Sequence, residues 1–263
     1  EVGYRFSGCL IKPCHTLKRL ISFDLLIMES SLYLITAGAF ILLTVIAYAA
    51  FLLMLRRAIE LTPWTNDRQH RVFRNFWLGI VIWTLFISLV SATGFFQDFS
   101  SFPPRIMIVL LLPLVTWIAI TFSGTMRDLL PYVSTRAITR LQFFRVFVEI
   151  LLWMLFIQQL LPVQMTFEGR NFDILAGATA PVIGHYFSHN MTVRLIWNLL
   201  SLGLLINIIT IAILSLPTPF RVFLNEPANT IVGYFPFIWL PGLLVPLAYS
   251  LHFLSLRQLA LER

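Results

Sequence analysis

Five acidic, basic or imidazole side chains gather within residues 168–190: Glu168, Arg170, Asp173, His185 and His189 flank an apolar middle broken by Gly177, Pro181 and Gly184. A carboxylate and an imidazole within hydrogen-bond reach are the parts of an acid–base pair, which makes Asp173 and His185 the catalytic candidates. Two geometries separate that chemistry from simple packing. As one helix, residues 172–188 are 17 long, at the lower edge of the ~17–25 that cross a bilayer. Asp173 and His185 then lie about 18 Å apart along the axis and share no ligand. As a re-entrant dip with its apex near Thr179, the segment brings both to its mouth, and irregular backbone at membrane depth is tolerated only around a protein-lined or watery site. The expected form is the short glycine-rich helix, whose small residues let neighbours approach closely.

Glu149 is the one carboxylate inside an unambiguous apolar run, and an ionisable group there is a functional candidate by default. Arg145, one turn earlier, offers it an ion-pair partner at the interface; without that pair Glu149 reads as a proton-coupling carboxylate. His185 and His189 are four apart and project from one side of a helix, as metal ligands can. No third ligand is supplied by an H-E-x-x-H motif or a cysteine pair, so no metal site is expected. The binding candidates are therefore Glu149, Glu168, Arg170, Asp173, His185 and His189. Gln158, Gln159, Asn198 and Asn207 have the character of interhelical hydrogen-bonding groups, and Arg194, Asn198 and Ser201 share a helix face.

The elements that must position these residues are apolar. The chain has 263 residues, of which 58% are hydrophobic and 12% charged, the balance of a polytopic membrane protein rather than a soluble domain. Its net charge of +7 is mostly arginine, placed in short links between apolar runs, which is a topology signal and not a nucleic-acid patch. Lys12 and Lys18 are the only lysines, so no retinal Schiff base or phosphate-loop lysine is expected, and the cofactor is undefined. Cys9 and Cys14 make no recognised redox or metal pattern. Residues 1–27 form a tail before Met28, the expected true start, and residues 28–263 form one transmembrane helical domain.

Apolar runs cover residues 33–55, 77–95, 106–122, 143–161, 172–188, 192–216 and 231–254. They predict an all-α integral membrane bundle of seven spans, or six plus a re-entrant segment at 172–188. With seven spans, and leaving aside the four basic residues of the tail (Arg5, Lys12, Lys18 and Arg19), twelve basic residues fall on one side and Arg105, Arg170 and Arg221 on the other. The positive-inside rule then sets the N-terminus outside and the C-terminus inside a plasma or inner membrane. Pro236, Pro241 and Pro246 predict a bent last span. A faint echo of residues 83–87 at 153–157 matches the composition of such runs and carries no repeat.

The expected function is a permease-like or small-solute-binding membrane component, with the lipid bilayer as its surroundings and a small solute or another membrane protein as partner. The alternatives are a membrane enzyme using Asp173 and His185 at the outer face, and a non-catalytic subunit or scaffold. No nucleophile motif or long catalytic loop favours the enzyme.

Overall fold

The computed structural model describes residues 31–101 and 103–262; the expectations for the tail 1–27, its lysines and cysteines, and a start at Met28 lie outside the described residues. Among the described residues every regular element is helical and no strand occurs. Helix α1 is Ser31–Glu60 and α2 is Asn66–Ala92. Helix α3, Ile106–Phe122, is followed by the short helices α4, Gly124–Leu129, and α5, Thr135–Leu141. Then come α6, Phe144–Ile157, α7, Asp173–Tyr186, and α8, Met191–Leu214. A π-helical turn, Leu240–Leu244, leads into α9, Val245–Leu261.

The element ends follow local chemistry rather than hydropathy. Helix α1 continues past Arg56 and Arg57, where Arg56 Nε donates to Glu60 Oε1 at 2.9 Å across one turn. Helix α2 begins eleven residues before the apolar run, because Thr65 caps it by accepting the Arg68 N–H at 3.4 Å and Asp67 sits in its first turn. Arg68, Arg71 and Arg74 are therefore helical, not loop. Helix α6 stops short of the apolar Leu160 and Leu161. Gln159 takes a left-handed φ of 58°, with Leu160 N–H on Leu155 O at 3.0 Å and Gln159 N–H on Phe156 O at 2.8 Å, the paired bonds of a Schellman ending.

Two expectations need correction. Residues 173–186 form one helix through Thr179, so the dip with an apex there does not form; Pro181 is accommodated inside α7. The last apolar run does not become a helix at 231: Ile231–Gly233 is a single 3-10 turn, and the helix proper runs to Leu261. Pro236 and Pro241 each lack the N–H that an earlier start would need.

Contacts between helix ends give the topology. Arg68 at the start of α2 meets Asp128 at the end of α4 at 3.3 Å, and Arg140 in α5 meets His185 at the end of α7 at 2.7 Å. Arg194 at the start of α8 meets Glu262 just past α9 at 2.7 Å. At the other end Thr36 of α1 meets Gln158 beyond α6 at 3.1 Å, Ser91 of α2 meets Gly233 before α9 at 2.9 Å, and Gln164 before α7 meets Ser215 after α8 at 2.9 Å. The principal helices thus alternate in direction. Most arginines collect at one end, hereafter the arginine end, and Arg105, Arg170 and Arg221 lie at the opposite one.

Among the described residues three helices, Ser31–Glu60, Asn66–Ala92 and Met191–Leu214, are long and apolar enough to cross a membrane, and a fourth crossing results if α3 and the 60° bent segment after it count as one. Seven spans are not established by length, since α6 and α7 have 14 residues each, about 21 Å against a hydrocarbon core of ~30 Å. The long helices turn apolar side chains outward: Ile82, Leu85, Phe86 and Leu89 of α2 are exposed, as are Leu42, Val45, Ile46 and Leu53 of α1.

Candidate functional site

The shortness of α7 creates the site. After α6 ends, residues 158–172 fold back along it, burying Leu161, Met165, Thr166 and Asn171, and α7 starts partway into the bundle. Gly177 allows α7 to lie directly on α6: a Cβ there would stand 2.8 Å from the Val146 backbone nitrogen and 3.2 Å from the Arg145 Cβ. This contact sets Asp173, the first residue of α7, against Arg145 in the first turn of α6. Arg145 Nε donates to Asp173 Oδ2 at 2.7 Å, and its Nη2 donates to Asp173 Oδ1, a fork-to-carboxylate pair. Both side chains are buried.

Asn171 joins this pair to Glu149. Its side-chain oxygen accepts the Asp173 N–H at 3.0 Å, an Asx-type turn leading into α7. Its amide nitrogen donates to both Glu149 oxygens, at 2.6 and 2.7 Å. The expected Arg145–Glu149 interfacial pair is thus replaced by Arg145–Asp173. The reason is geometric: the carboxylate on the facing helix meets the guanidinium edge-on in two bonds, and neither residue snorkels out of the core. Among the described residues no cation makes an ion pair with Glu149. Two carboxyl groups and one guanidinium share the cluster, so a proton or a cationic ligand completes its charge balance.

On its other side Arg145 reaches α8 and α9. Nη1 faces His252 Nε2 at 3.0 Å, and Nη2 donates to Ser201 O at 3.2 Å. Because a guanidinium only donates, His252 Nε2 accepts, and the proton assigned to Nδ1 donates to Asn198 Oδ1 at 2.9 Å. Asn198 Nδ2 then donates to Ser255 Oγ at 3.0 Å and to Arg194 O at 2.8 Å. A buried polar thread therefore runs from Glu149 through Asn171, Asp173, Arg145, His252 and Asn198 to Arg194.

Glu149 and Asp173 line a cavity of about 90 Å³ between α3, α6, α8 and the π turn, space for roughly three waters at their liquid volume of ~30 Å³. Its remaining wall is chiefly Leu, Ile, Met and Val, with Asn229 as the other polar side chain. Asn229 is buried, and its Oδ1 has no hydrogen-bond partner among the described residues. A larger cavity, about 630 Å³ beside α2, α3 and the π turn, carries no charged side chain. There the Gly242 carbonyl, whose helical partner would be the N–H that Pro246 lacks, accepts Trp83 Nε1 at 2.8 Å.

Of the six binding candidates, only Glu149 and Asp173 come together. Glu168 accepts Trp153 Nε1 at 2.6 Å on the surface, and the Arg170 guanidinium lies 5.3 Å from the centre of the Phe223 ring. His185 and His189 are at the arginine end, held by Arg140 at 2.7 Å and Arg136 at 3.0 Å. Asp173 and His185 stand at opposite ends of one unbroken helix, about 18 Å apart along its axis. One water cannot bridge that gap, so they form no acid–base pair. Arg145, His252 and Asn198 were individually visible as polar residues in apolar runs, but no sequence spacing joins three separate helices.

The architecture is an all-helical bundle with a few membrane-length apolar helices around a buried charged cluster. The chain belongs to the family described as a domain of unknown function, DUF8737, which matches residues 103–260. That stretch runs from just before α3 into α9 and holds the whole thread from Glu149 to Arg194, leaving α1 and α2 outside. No curated protein and no solved structure matches the chain.

Proposed function

We propose that the protein is a multi-pass integral membrane component of permease-like character that binds a small solute with an apolar body and a cationic or hydrogen-bond-donating end. Its arginine end faces the cytoplasm of a plasma or inner membrane, with the start of α1 outside and the end of α9 inside. The observation that carries this reading is Glu149: a buried carboxylate with an amide partner and, among the described residues, no ion-paired cation, on the wall of a mostly apolar cavity that Asp173 and Asn229 also line. Leaving such a charge unpaired costs several kcal/mol by the usual magnitude, which a cationic ligand relieves. The unpartnered Asn229 Oδ1 adds an acceptor on the same cavity, while no basic side chain lines it. The chemistry selects donors over anions.

Helices α6 and α7 reach across the bilayer only together with the folded-back 158–172 segment and the short helices before α6. Short helices beginning within a bundle are a recurrent way for permeases to bring helix ends to a solute. The test is a thermal-shift series on detergent-purified full chain, with methylammonium and ethylammonium compared against alcohols and carboxylates of like size. Stabilisation confined to the ammonium compounds, and absent in Glu149→Gln, supports the reading. Equal shifts for both proteins, or none, overturn it.

A further inference from the structure

The arginine end holds a third, separate cavity of about 390 Å³ between the start of α5, the link from α7 to α8, and the residues after α9. Its groups are overwhelmingly donors. Arg136 spends its guanidinium on neutral acceptors, Ser188 Oγ at 3.1 Å and His189 Nε2 at 3.0 Å, and among the described residues it has no carboxylate partner. Arg194 is buried and paired with Glu262 through its two terminal nitrogens, yet its Nε is buried and, among the described residues, has no partner. Ser134 Oγ accepts the Ala137 N–H and Ser188 Oγ accepts from Arg136, so both hydroxyl protons remain to be given. Met191, also on this wall, opens the 24-residue α8; the Asn190 side chain takes the Val193 N–H at 3.0 Å, and the N–H groups of Met191 and Thr192 have no intrahelical acceptor. Two guanidiniums face one carboxylate, that of Glu262.

We infer that this cavity binds a phosphate-bearing anion. Phosphate is charged and accepts on every oxygen, which matches a ring of donors with uncompensated positive charge at a helix start. The same chemistry is offered by the headgroup of an anionic phospholipid and by free phosphate. The lipid source rests on the membrane-embedded reading above; the site itself is independent of the Glu149 cavity.

The experiment uses the full chain in detergent. Its thermal midpoint is followed with inorganic phosphate against chloride at matched ionic strength, and its capture by phosphatidylcholine vesicles is followed with and without phosphatidylglycerol. Phosphate stabilisation alone assigns a soluble phosphate, phosphatidylglycerol dependence alone assigns the headgroup, and both together assign the shared chemistry. Arg136→Gln should weaken whichever binding is seen about tenfold, the scale of one charge-assisted hydrogen bond. Arg136→Lys should retain part of it, and Arg105→Gln at the opposite end all of it. If Arg136→Gln does not fold, His189→Glu places a carboxylate at the exposed rim and should abolish binding by repulsion. No binding of either probe, or binding unchanged in the folded variants, overturns the inference. Ammonium binding at Glu149 persists in these variants, which separates failure here from failure of the solute reading.

Discussion

Arg145 and Asp173 lie 28 positions apart in sequence and meet as a buried, two-bonded ion pair at the start of two facing helices. Breaking such a pair from one side strands a charge in the core at a typical cost of about 3–5 kcal/mol, whereas replacing both members with apolar residues is often close to neutral. Asp173→Leu should therefore lower the unfolding midpoint sharply, and Arg145→Leu with Asp173→Leu should recover much of the loss. A double-mutant cycle on purified protein measures this; additive losses would show that the two residues do not couple.

Gly177 is where α7 touches α6, and a Cβ there would stand 2.8 Å from the Val146 backbone nitrogen, which cannot rotate away. Gly177→Ala should destabilise by about 1–3 kcal/mol through overpacking. Gly38, in α1, has nothing within 4 Å of its Cβ position. Gly38→Ala should instead be neutral or gain up to about 1 kcal/mol of helix propensity. Denaturation in detergent compares the two directly, and equal effects would contradict the packing.

The Trp83 indole donates to the Gly242 carbonyl, to which Pro246 at the i+4 position offers no N–H. Trp83→Phe should cost about 1–3 kcal/mol, the penalty for a buried acceptor left bare. Pro246→Ala in that background restores an N–H and should make the loss smaller. Identical losses with and without the proline would mean that the indole acts by packing alone.

The helix directions make a topology prediction. Cysteines introduced singly at Leu224 and Glu168, at the end opposite the arginines, should react with an impermeant thiol reagent in intact cells. Those at Leu61 and Tyr186, both exposed at the arginine end, should react only after permeabilisation. Labelling of both ends in intact cells would contradict the orientation.

Hydropathy made the long helices legible: the run at 192–216 became Met191–Leu214 with little change. It could not find the start of α2, where polar turns obey capping chemistry and carry no apolar signal. It also misplaced α9, because Pro236 and Pro241 sit inside an apolar stretch that cannot form a regular helix from its beginning. Asp173 and Glu149 were visible as carboxylates in apolar surroundings. That Asp173 takes Arg145 and leaves Glu149 with an amide depends on where α7 begins. That position is set by the Gln159 turn and the folded-back segment after it, a tertiary outcome with no sequence period.

The reading turns on Glu149, and uptake by reconstituted protein tests it most directly. Full chain in proteoliposomes should accumulate radiolabelled methylammonium above empty liposomes, and Glu149→Gln, similar in shape but uncharged, should abolish the excess while remaining folded. Arg136→Gln should leave uptake intact. Equal uptake by folded wild type and Glu149→Gln, or none by wild type, would contradict the account.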